Sequence, residues 1–188
     1  MKAALLISDG FEEAETVIIY DVLKRLGIGV DIISCSGLIM TNAYFSLSIN
    51  ADKRIEDIME FVYDAVIIPG GPKSTISLSS NQKVISFIKR HEALEKWLCA
   101  LCSAPARVLG MNQLLKGRQY TCSGNLWEGC TDGIYTGEDI VVDGNLITGR
   151  GLGVSFEFAF RIANMMTGRP DEVVAQEEHI YFRPEKTD

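Results

Sequence analysis

The chain has 188 residues, 47% of them hydrophobic, and a formal net charge of −7. Its length and composition predict one domain over residues 1–188 with a full apolar core. The negative charge and the lack of a basic patch argue against nucleic acid or an anionic membrane as a partner. No apolar run is long enough to span a bilayer or to form a signal peptide, and the five scattered cysteines are typical of reduced thiols. We therefore expect a cytoplasmic protein that acts on small molecules or proteins.

Buried strands and amphipathic helices alternate along the first half of the chain. Continuous apolar runs indicate the strands, and apolar residues at helical spacing indicate the helices. The predicted elements are strands over 2–8, 28–35 and 65–68, helices over 12–26 and 54–61, and a hairpin over 37–49. Two strands joined by a helix form a unit with a right-handed crossover, so this half predicts a parallel sheet.

The second half repeats the alternation. The predicted elements are helices over 82–94, 104–115, 154–166 and 170–178, a strand that ends at Cys102, a strand over 119–122, and a hairpin of 140–143 with 146–148. The whole pattern predicts an α/β fold, with a doubly wound, mostly parallel sheet between helices and a small β-hairpin addition. In such sheets, ligands bind beyond the carboxyl ends of the strands.

Cys102 stands at the end of an apolar run, directly before Ser103-Ala104-Pro105. Small residues and a proline begin the predicted helix, so the thiol is expected on a sharp strand-to-helix turn that resembles a nucleophile elbow. The N-terminal amides of the next helix supply positive potential, which predicts a thiol that ionises more easily than free cysteine. The alternative is a buried structural cysteine, because free cysteines often pack as small hydrophobes.

Glu15 lies in the predicted first helix, on one row with Ile18, Ile19 and Val22. Desolvation raises the pKa of a carboxyl group, so we expect Glu15 to carry a proton near neutral pH. It could then donate a hydrogen bond to a thiolate or an oxyanion. The alternative is a first-turn glutamate that faces water.

A turn of Pro69-Gly70-Gly71-Pro72 follows the predicted strand over 65–68. Because a glycine backbone approaches a reacting atom closely, Gly71 is a candidate oxyanion donor; the alternative is an ordinary turn. The strands before Glu15, Gly71 and Cys102 all end at the same edge of the predicted sheet. The sequence therefore predicts a thiol, a protonated carboxyl group and free amides in one crevice.

The remaining glycine and cysteine patterns favour structural roles. Residues 149–153 (GRGLG) are not followed by Lys-Ser or Lys-Thr, so a turn is favoured over a phosphate cradle. Cys99 and Cys102 are an odd number of residues apart, which predicts side chains on opposite faces of the sheet and argues against a redox pair. Cys122 is either a resolving partner for an oxidised Cys102 or a buried strand thiol.

Four sequence blocks resemble the ThiJ/PfpI superfamily, on the branch of the Parkinson-disease-linked protein deglycase. The blocks are residues 9–17 (DGFEEAETV), 69–71 (PGG), 100–105 (ALCSAP) and 151–158 (GLGVSFEF). The resemblance covers nearly the whole chain and implies a flavodoxin-like homodimer. It implies that Cys102 is the nucleophile and a redox-sensitive thiol, beside Glu15 as the protonated glutamate. It also implies an oxyanion site at the amides of Gly71 and Ser103.

Two positions depart from the family pattern. Peptidase-type members carry a histidine after the nucleophile, where this chain has Ser103, so a cysteine peptidase or amidase lacks its base. The deglycase branch often places a histidine where this chain has Ser123, which puts an assisted proton transfer in doubt. His91 and His179 are predicted on the surface and leave too few ligands for zinc, so no metal is expected.

Activities assigned to that branch include removal of methylglyoxal and glyoxal adducts from proteins, cofactor-free glyoxalase chemistry, and protection or chaperoning under oxidative stress. The first hypothesis is an enzyme without a cofactor, in which Cys102 attacks a small dicarbonyl or its protein adduct and Glu15 transfers the proton. The second is a redox sensor or chaperone, in which Cys102 oxidises to a sulfinic acid stabilised by Glu15.

Overall fold

The computed structural model describes residues 1–182 and shows a central seven-stranded sheet between layers of helices. The strands are β1 (Lys2–Ile7), β2 (Gly29–Ser34), β3 (Met40–Asn42), β4 (Ser48–Asn50), β5 (Lys53–Arg54), β6 (Ala65–Ile68), β7 (Trp97–Leu101), β8 (Gln119–Tyr120), β9 (Ile134–Tyr135), β10 (Ile140–Asp143) and β11 (Leu146–Gly149). The helices are α1 (Glu13–Arg25), α2 (Pro72–Ser80), α3 (Gln82–Ala93), α4 (Ser155–Thr167) and α5 (Pro170–His179).

The central sheet has the strand order β10-β11-β7-β6-β1-β2-β5. Every neighbouring pair in it is parallel apart from β10 and β11, which form the predicted antiparallel hairpin. Strands β3 and β4 form a separate antiparallel hairpin, which extends one residue beyond the range of 37–49 predicted for it. The α/β fold with a mostly parallel sheet is therefore confirmed.

Strand alternation explains how the sheet is covered on both faces. In β1, Ala3 and Leu5 pack into one apolar layer with residues of α1 and α4, whereas Ala4 and Leu6 pack into the opposite layer with residues of α3. All four side chains are fully buried. A strand that is buried on both faces must be apolar at every position, which is why these strands appear in the sequence as continuous apolar runs.

The parallel register brings three segments to one edge of the sheet. Strand β6 pairs with β1 on one side and with β7 on the other, so their carboxyl ends are neighbours. Helix α1 follows β1, the turn at Gly70 and Gly71 follows β6, and Cys102 follows β7. The fold thus places the predicted site residues at adjacent strand ends.

The helix predicted over 104–115 is broken into short turns. A π-helical turn covers Pro105–Leu109, a 3-10 turn covers Gly110–Asn112, and the chain then reverses at Gln113, which has a φ of 58°. A Cβ atom on Gly110 would lie 2.3 Å from Sγ of Cys130, so this close packing requires glycine. Apolar periodicity cannot reveal such a break, because the buried positions keep their spacing.

Helix α2 was not predicted from the sequence. It begins with Pro72 at its first position, and its buried face consists of Ser74, Thr75 and Leu78, which form no apolar stripe. Two other elements are shorter than predicted. The helix over 54–61 is a 3-10 turn, Ile55–Ile58, and the strand over 119–122 covers only Gln119–Tyr120.

His91 is fully buried, so the prediction of a surface histidine is wrong for this residue. The amide of Tyr63 donates a 3.0 Å hydrogen bond to Nε2, and Nδ1 lies 2.8 Å from the carbonyl of Phe87. The neutral ring with its proton on Nδ1 satisfies both bonds. Burial lowers the pKa of His91 below its ordinary value, whereas His179 is exposed on α5 as predicted.

Within residues 1–182, we find no helix with the length and apolar character needed to cross a bilayer.

Candidate active site

Cys102 adopts a backbone conformation that non-glycine residues rarely take, with a φ of 63°. Its amide donates a 2.9 Å hydrogen bond to the carbonyl of Gly149, and its carbonyl accepts a 2.8 Å bond from the amide of Ser123. These bonds hold the strained residue between two neighbouring segments. The side chain is half-buried, so the sulfur lies at the rim of the sheet. Strain of this kind clusters at functional sites.

The Glu15 side chain is fully buried, so the alternative of a glutamate facing water is wrong. Its Oε2 accepts a 2.6 Å hydrogen bond from the amide of Gly70. Burial is the largest influence on this group and raises its pKa to about 7, while hydrogen bonds from Gly70 and Cys102 act in the opposite direction. A carboxyl group with this pKa can hold or release a proton near neutral pH.

The carboxyl group of Glu15 and the thiol of Cys102 both lie against Gly70. A Cβ atom on Gly70 would lie 2.8 Å from Oε2 of Glu15 and 2.9 Å from Sγ of Cys102. Both groups therefore occupy the space that a side chain at this position would need. The sequence predicted the turn but not this role, and its adjacent glycines are the signal that points to such a close approach.

The Cys102 thiol differs from its prediction. Burial, followed by the negative charge of Glu15, raises the pKa of Cys102 to about 11, although the Ser123 hydroxyl and the Ser103 amide both lower it. The prediction of easy ionisation took account only of the positive end of the next helix and left out the desolvation of the sulfur. At neutral pH the thiol therefore keeps its proton at rest, and the Glu15 carboxylate can accept it only as a transient step of a reaction.

The predicted oxyanion donors, Gly71 and Ser103, lie on adjoining segments. Gly71 has a φ of 104°, and its amide donates no hydrogen bond within residues 1–182. The hydroxyl of Ser103 lies 3.1 Å from Oγ1 of Thr75, which bonds at 3.0 Å to the carbonyl of Gly71. Thr75 thus connects the two predicted donors. It was missed from the sequence because it belongs to the unpredicted helix α2.

Cys99 packs against the same apolar layer as Cys102, so the prediction of opposite faces is wrong. Strand alternation stops at Leu101, because the turn at Cys102 rotates the next side chain. Burial raises the pKa of Cys99 well above its ordinary value. All five cysteines are free, and Cys99 is closed off from solvent.

Cys122 is fully buried beside the site. Burial raises its pKa to about 11, and the charges of Cys130 and Cys102 add to the effect. One of the two predictions for Cys122 was a buried thiol, which agrees with this burial, whereas a resolving role stays a prediction.

Across residues 1–182, no group of three or more histidine, cysteine or acidic side chains is arranged to hold a metal ion.

A parallel α/β sheet that carries a strained cysteine on a strand-to-helix turn, next to a buried carboxyl group, defines a class of cysteine-elbow proteins. The chain belongs to the DJ-1/PfpI family, whose sequence profile matches residues 1–165.

The similarity to individual members extends over most of the chain. The chain is 32% identical to the Parkinson disease protein 7 homolog of Danio rerio over 183 residues, which cover 93% of each protein. It is 34% identical to Protein DJ-1 homolog B of Arabidopsis thaliana over 163 residues, or 87% of this chain but 37% of the plant protein. A solved mutant of the DJ-1 superfamily protein STM1931 from Salmonella typhimurium is 42% identical, with a TM-score of 0.96 over 97% of this chain and 99% of that one.

Proposed function

We propose that the chain is a cysteine-dependent protective enzyme that acts on reactive dicarbonyls or their protein adducts, in the manner of a deglycase or a cofactor-free glyoxalase. One observation carries this proposal. A buried carboxyl group, Glu15, with a pKa raised to about 7, lies against the thiol of Cys102 on a strained turn. A base with this pKa suits proton transfer at neutral pH.

The proposed reaction begins when the Cys102 thiol passes its proton to the Glu15 carboxylate. The thiolate then attacks the aldehyde carbon of the dicarbonyl, forming a carbon–sulfur bond, while the carbonyl electrons move to oxygen. A proton moves from the aldehyde carbon to the neighbouring carbonyl carbon, which oxidises the first carbon to a thioester and reduces the second to an alcohol. Water releases the 2-hydroxy acid and restores the thiol, so no external oxidant is consumed.

Gly71 and Ser103 are proposed as the oxyanion donors. The Ser103 amide lowers the pKa of Cys102, which supports a donor beside the sulfur, and the free amide of Gly71 supports a second donor at the adjoining turn. Preorganised amides stabilise the charge that develops on the attacked oxygen, because they need no reorientation during the reaction.

A relative that is named as a glyoxalase supports the substrate class. The chain is 26% identical to the glutathione-independent glyoxalase DJR-1.2 of Caenorhabditis elegans over 171 residues, which cover 89% of this chain and 90% of that protein. We carry over a small dicarbonyl substrate from this similarity, and a glycated protein from the resemblance described above. A cysteine peptidase or amidase is disfavoured, because Ser103 follows the nucleophile and His91 is held between Tyr63 and Phe87.

A second candidate is a redox sensor or chaperone. Its support is residue 123. The family branch often has a histidine at this position, whereas this chain has Ser123, whose hydroxyl lowers the pKa of Cys102 but does not act as a base near neutral pH. In this function, one peroxide molecule oxidises the thiol to a sulfenic acid and a second oxidises it to a sulfinic acid, with release of water at each step. The Glu15 proton would stabilise the oxidised sulfur.

We also propose a homodimer that forms through the β3–β4 hairpin. Phe45 is 76% exposed at the tip of the hairpin, and Leu38, Met40 and Leu47 are exposed nearby. An exposed apolar cluster of this kind marks an interaction surface. The five free cysteines support a reducing compartment, and we propose a single domain in the cytoplasm.

The two functions are separated by incubating the purified protein with methylglyoxal and measuring lactate. We expect turnover in the wild type and its loss in both Cys102→Ser and Glu15→Gln, whereas Cys130→Ser removes a half-buried thiol elsewhere and serves as the control. No turnover in the wild type, together with the addition of two oxygens to Cys102 by peroxide, would support the sensor instead.

A further inference from the structure

A groove of 410 Å³ opens beside the nucleophile. It is lined by Ser123, Gly124, Asp139 and residues 150–154, and we refer to it as the Arg150 groove. Backbone hydrogen bonds connect two of the segments that form this groove to Cys102. The Ser123 amide donates to the Cys102 carbonyl at 2.8 Å, and the residue before Arg150, Gly149, accepts a 2.9 Å bond from the Cys102 amide. The groove therefore lies next to the position where a substrate of Cys102 must sit.

Glycines keep the Arg150 groove open. A Cβ atom on Gly124, Gly151 or Gly153 would meet no atom of residues 1–182 within 4 Å. Gly124 has a φ of 57°, which favours glycine, whereas neither this conformation nor close packing explains why Gly151 and Gly153 lack side chains. The Gly151 to Gly153 segment contributes backbone and the half-exposed side chain of Leu152 to the wall, which leaves room for a ligand.

Arg150 gives the groove a positive charge that is available to a ligand. Its backbone is fixed, because its amide donates a 2.8 Å hydrogen bond to the carbonyl of Asp139. Its guanidinium is only loosely held, with Nη1 3.7 Å from Oδ1 of Asp139 and 3.5 Å from the carbonyl of Gly137. The side chains of Arg150 and Asp139 are both more than half exposed, and exposed ion pairs contribute little to stability. A ligand carboxylate can therefore replace Asp139 as the partner of Arg150.

We infer that the Arg150 groove binds the part of the substrate next to the reacting carbonyl, and that Arg150 favours substrates that carry a carboxylate there. This inference deepens the proposed function, since it assigns the class of adduct that the same thiol attacks. Arginine suits the role because its planar group binds a carboxylate through two parallel hydrogen bonds. A hemithioacetal formed from a cysteine with a free carboxylate belongs to this class. Its carbon–sulfur bond breaks, the hydroxyl proton passes to the departing cysteine sulfur, and Cys102 attacks the aldehyde carbon that this step releases.

Alkylation of Cys102 tests the inference without relying on enzymatic turnover. Iodoacetate and iodoacetamide differ by a carboxylate, and both transfer their carbon to the thiolate with loss of iodide. We expect Arg150→Gln to lower the iodoacetate-to-iodoacetamide rate ratio at Cys102 by about fivefold, Arg150→Lys to retain only the part that the positive charge supplies, and Asp139→Asn to raise the ratio. Arg161→Gln on α4 is the control. A ratio that is the same in wild type and Arg150→Gln overturns the inference.

Turnover separates this inference from the proposed function. The substrates are the hemithioacetals of methylglyoxal with N-acetylcysteine and with its neutral amide, which share one reacting centre. We expect the wild type to have a lower KM for the carboxylate form than for the neutral form. In Arg150→Gln, the ratio of the two KM values should fall by about tenfold. Equal use of both forms by the wild type contradicts the inference and leaves the proposed function intact. No turnover of either form, with the alkylation ratio still dependent on Arg150, contradicts the proposed function alone.

Discussion

The amide of Gly70 donates a 2.6 Å hydrogen bond to the buried carboxyl group of Glu15. This bond holds the carboxyl group against the Cys102 sulfur, although burial makes the ionised form unfavourable. The fold thus keeps a proton acceptor of suitable pKa beside a thiol whose pKa burial raises. The proposed chemistry depends on this pair acting together.

Replacement of Glu15 by glutamine should remove the proton acceptor while it keeps the shape of the side chain. We expect turnover of methylglyoxal to fall by about 10²- to 10⁴-fold, the usual contribution of general acid–base catalysis. Steady-state lactate formation measures the effect. Glu12→Gln is the matched control. It removes a nearby negative charge that raises the pKa of Glu15, and it leaves in place the backbone hydrogen bond of 3.1 Å from the amide of residue 12 to the carbonyl of Gly70. An equal loss in both variants would contradict a specific role for Glu15.

Replacement of Gly70 by alanine should disrupt the pair directly. The new Cβ atom would lie 2.7 Å from Cβ of Cys102 and 2.8 Å from Oε2 of Glu15, so one of the two side chains must move. We expect loss of turnover and a decrease of about 1–3 kcal/mol in the free energy of unfolding, as for other overpacked sites. Gly129→Ala places its Cβ atom in open space relative to residues 1–182 and should leave activity in place. Urea unfolding and lactate formation provide the two measurements.

Ser123 lowers the pKa of Cys102 through its hydroxyl group. Replacement by alanine should therefore raise the pKa of the thiol and slow its alkylation at neutral pH by roughly fivefold, the effect of one hydrogen bond of about 1 kcal/mol. The rate of reaction with iodoacetamide at Cys102, followed by peptide mass spectrometry, measures this change. An unchanged rate would mean that the hydroxyl group does not stabilise the thiolate.

His91 should make the fold sensitive to mild acid. Its pKa is lowered in the folded state, so below about pH 6.5 the unfolded chain binds a proton that the folded chain does not. Stability from this group is therefore complete above its unfolded pKa and is lost as the pH falls, by about 1.4 kcal/mol per pH unit at most.

Urea unfolding of the wild type and of His91→Gln between pH 7.5 and 5.5 measures this contribution, because the effects of all other groups cancel in the comparison. We expect a steeper loss of stability in the wild type. His179→Gln, at an exposed position, should follow the wild type. Parallel curves for wild type and His91→Gln would show that the ring carries no such linkage.

The proposed dimer should depend on the apolar tip of the β3–β4 hairpin. We expect Phe45→Glu to convert a dimer into a monomer in sedimentation experiments, because a charge at this exposed apolar position opposes burial against a second copy. Leu94→Glu changes an exposed apolar residue after α3 and should leave the oligomeric state unchanged. A monomeric wild type would overturn the proposed dimer.

Sequence patterns predicted the sheet because its strands are apolar at every position, as in β1 and β6. They also predicted which strand ends lie together, and hence that Glu15 and Cys102 are neighbours. They did not predict helix α2, whose buried face includes Ser74 and Thr75, nor the break at Gly110, which depends on a contact with Cys130. Contacts between distant segments leave no periodic pattern in a sequence.

Two errors concern the site itself and share a physical cause. The pKa of Cys102 depends on desolvation and on Glu15, and the direction of its side chain depends on a φ of 63°. Both quantities are set by the tertiary structure. Helix-dipole reasoning and strand alternation describe only the local chain. The first therefore predicted the wrong direction for the pKa shift of Cys102, and the second predicted the wrong face for its side chain.

The coupling between Cys102 and Glu15 is tested most directly by titrating the ultraviolet absorbance of the thiolate, with Cys102→Ser as the reference. We expect no thiolate absorbance as the pH rises through about 7, where Glu15 loses its proton, and a transition near pH 11, because burial and the Glu15 carboxylate both oppose the charge on the sulfur. In Glu15→Gln the transition should move to lower pH, since the carboxylate no longer opposes that charge, although burial keeps it above the ordinary value of a cysteine. A wild-type transition at the value of free cysteine, unchanged in Glu15→Gln, would contradict the coupling.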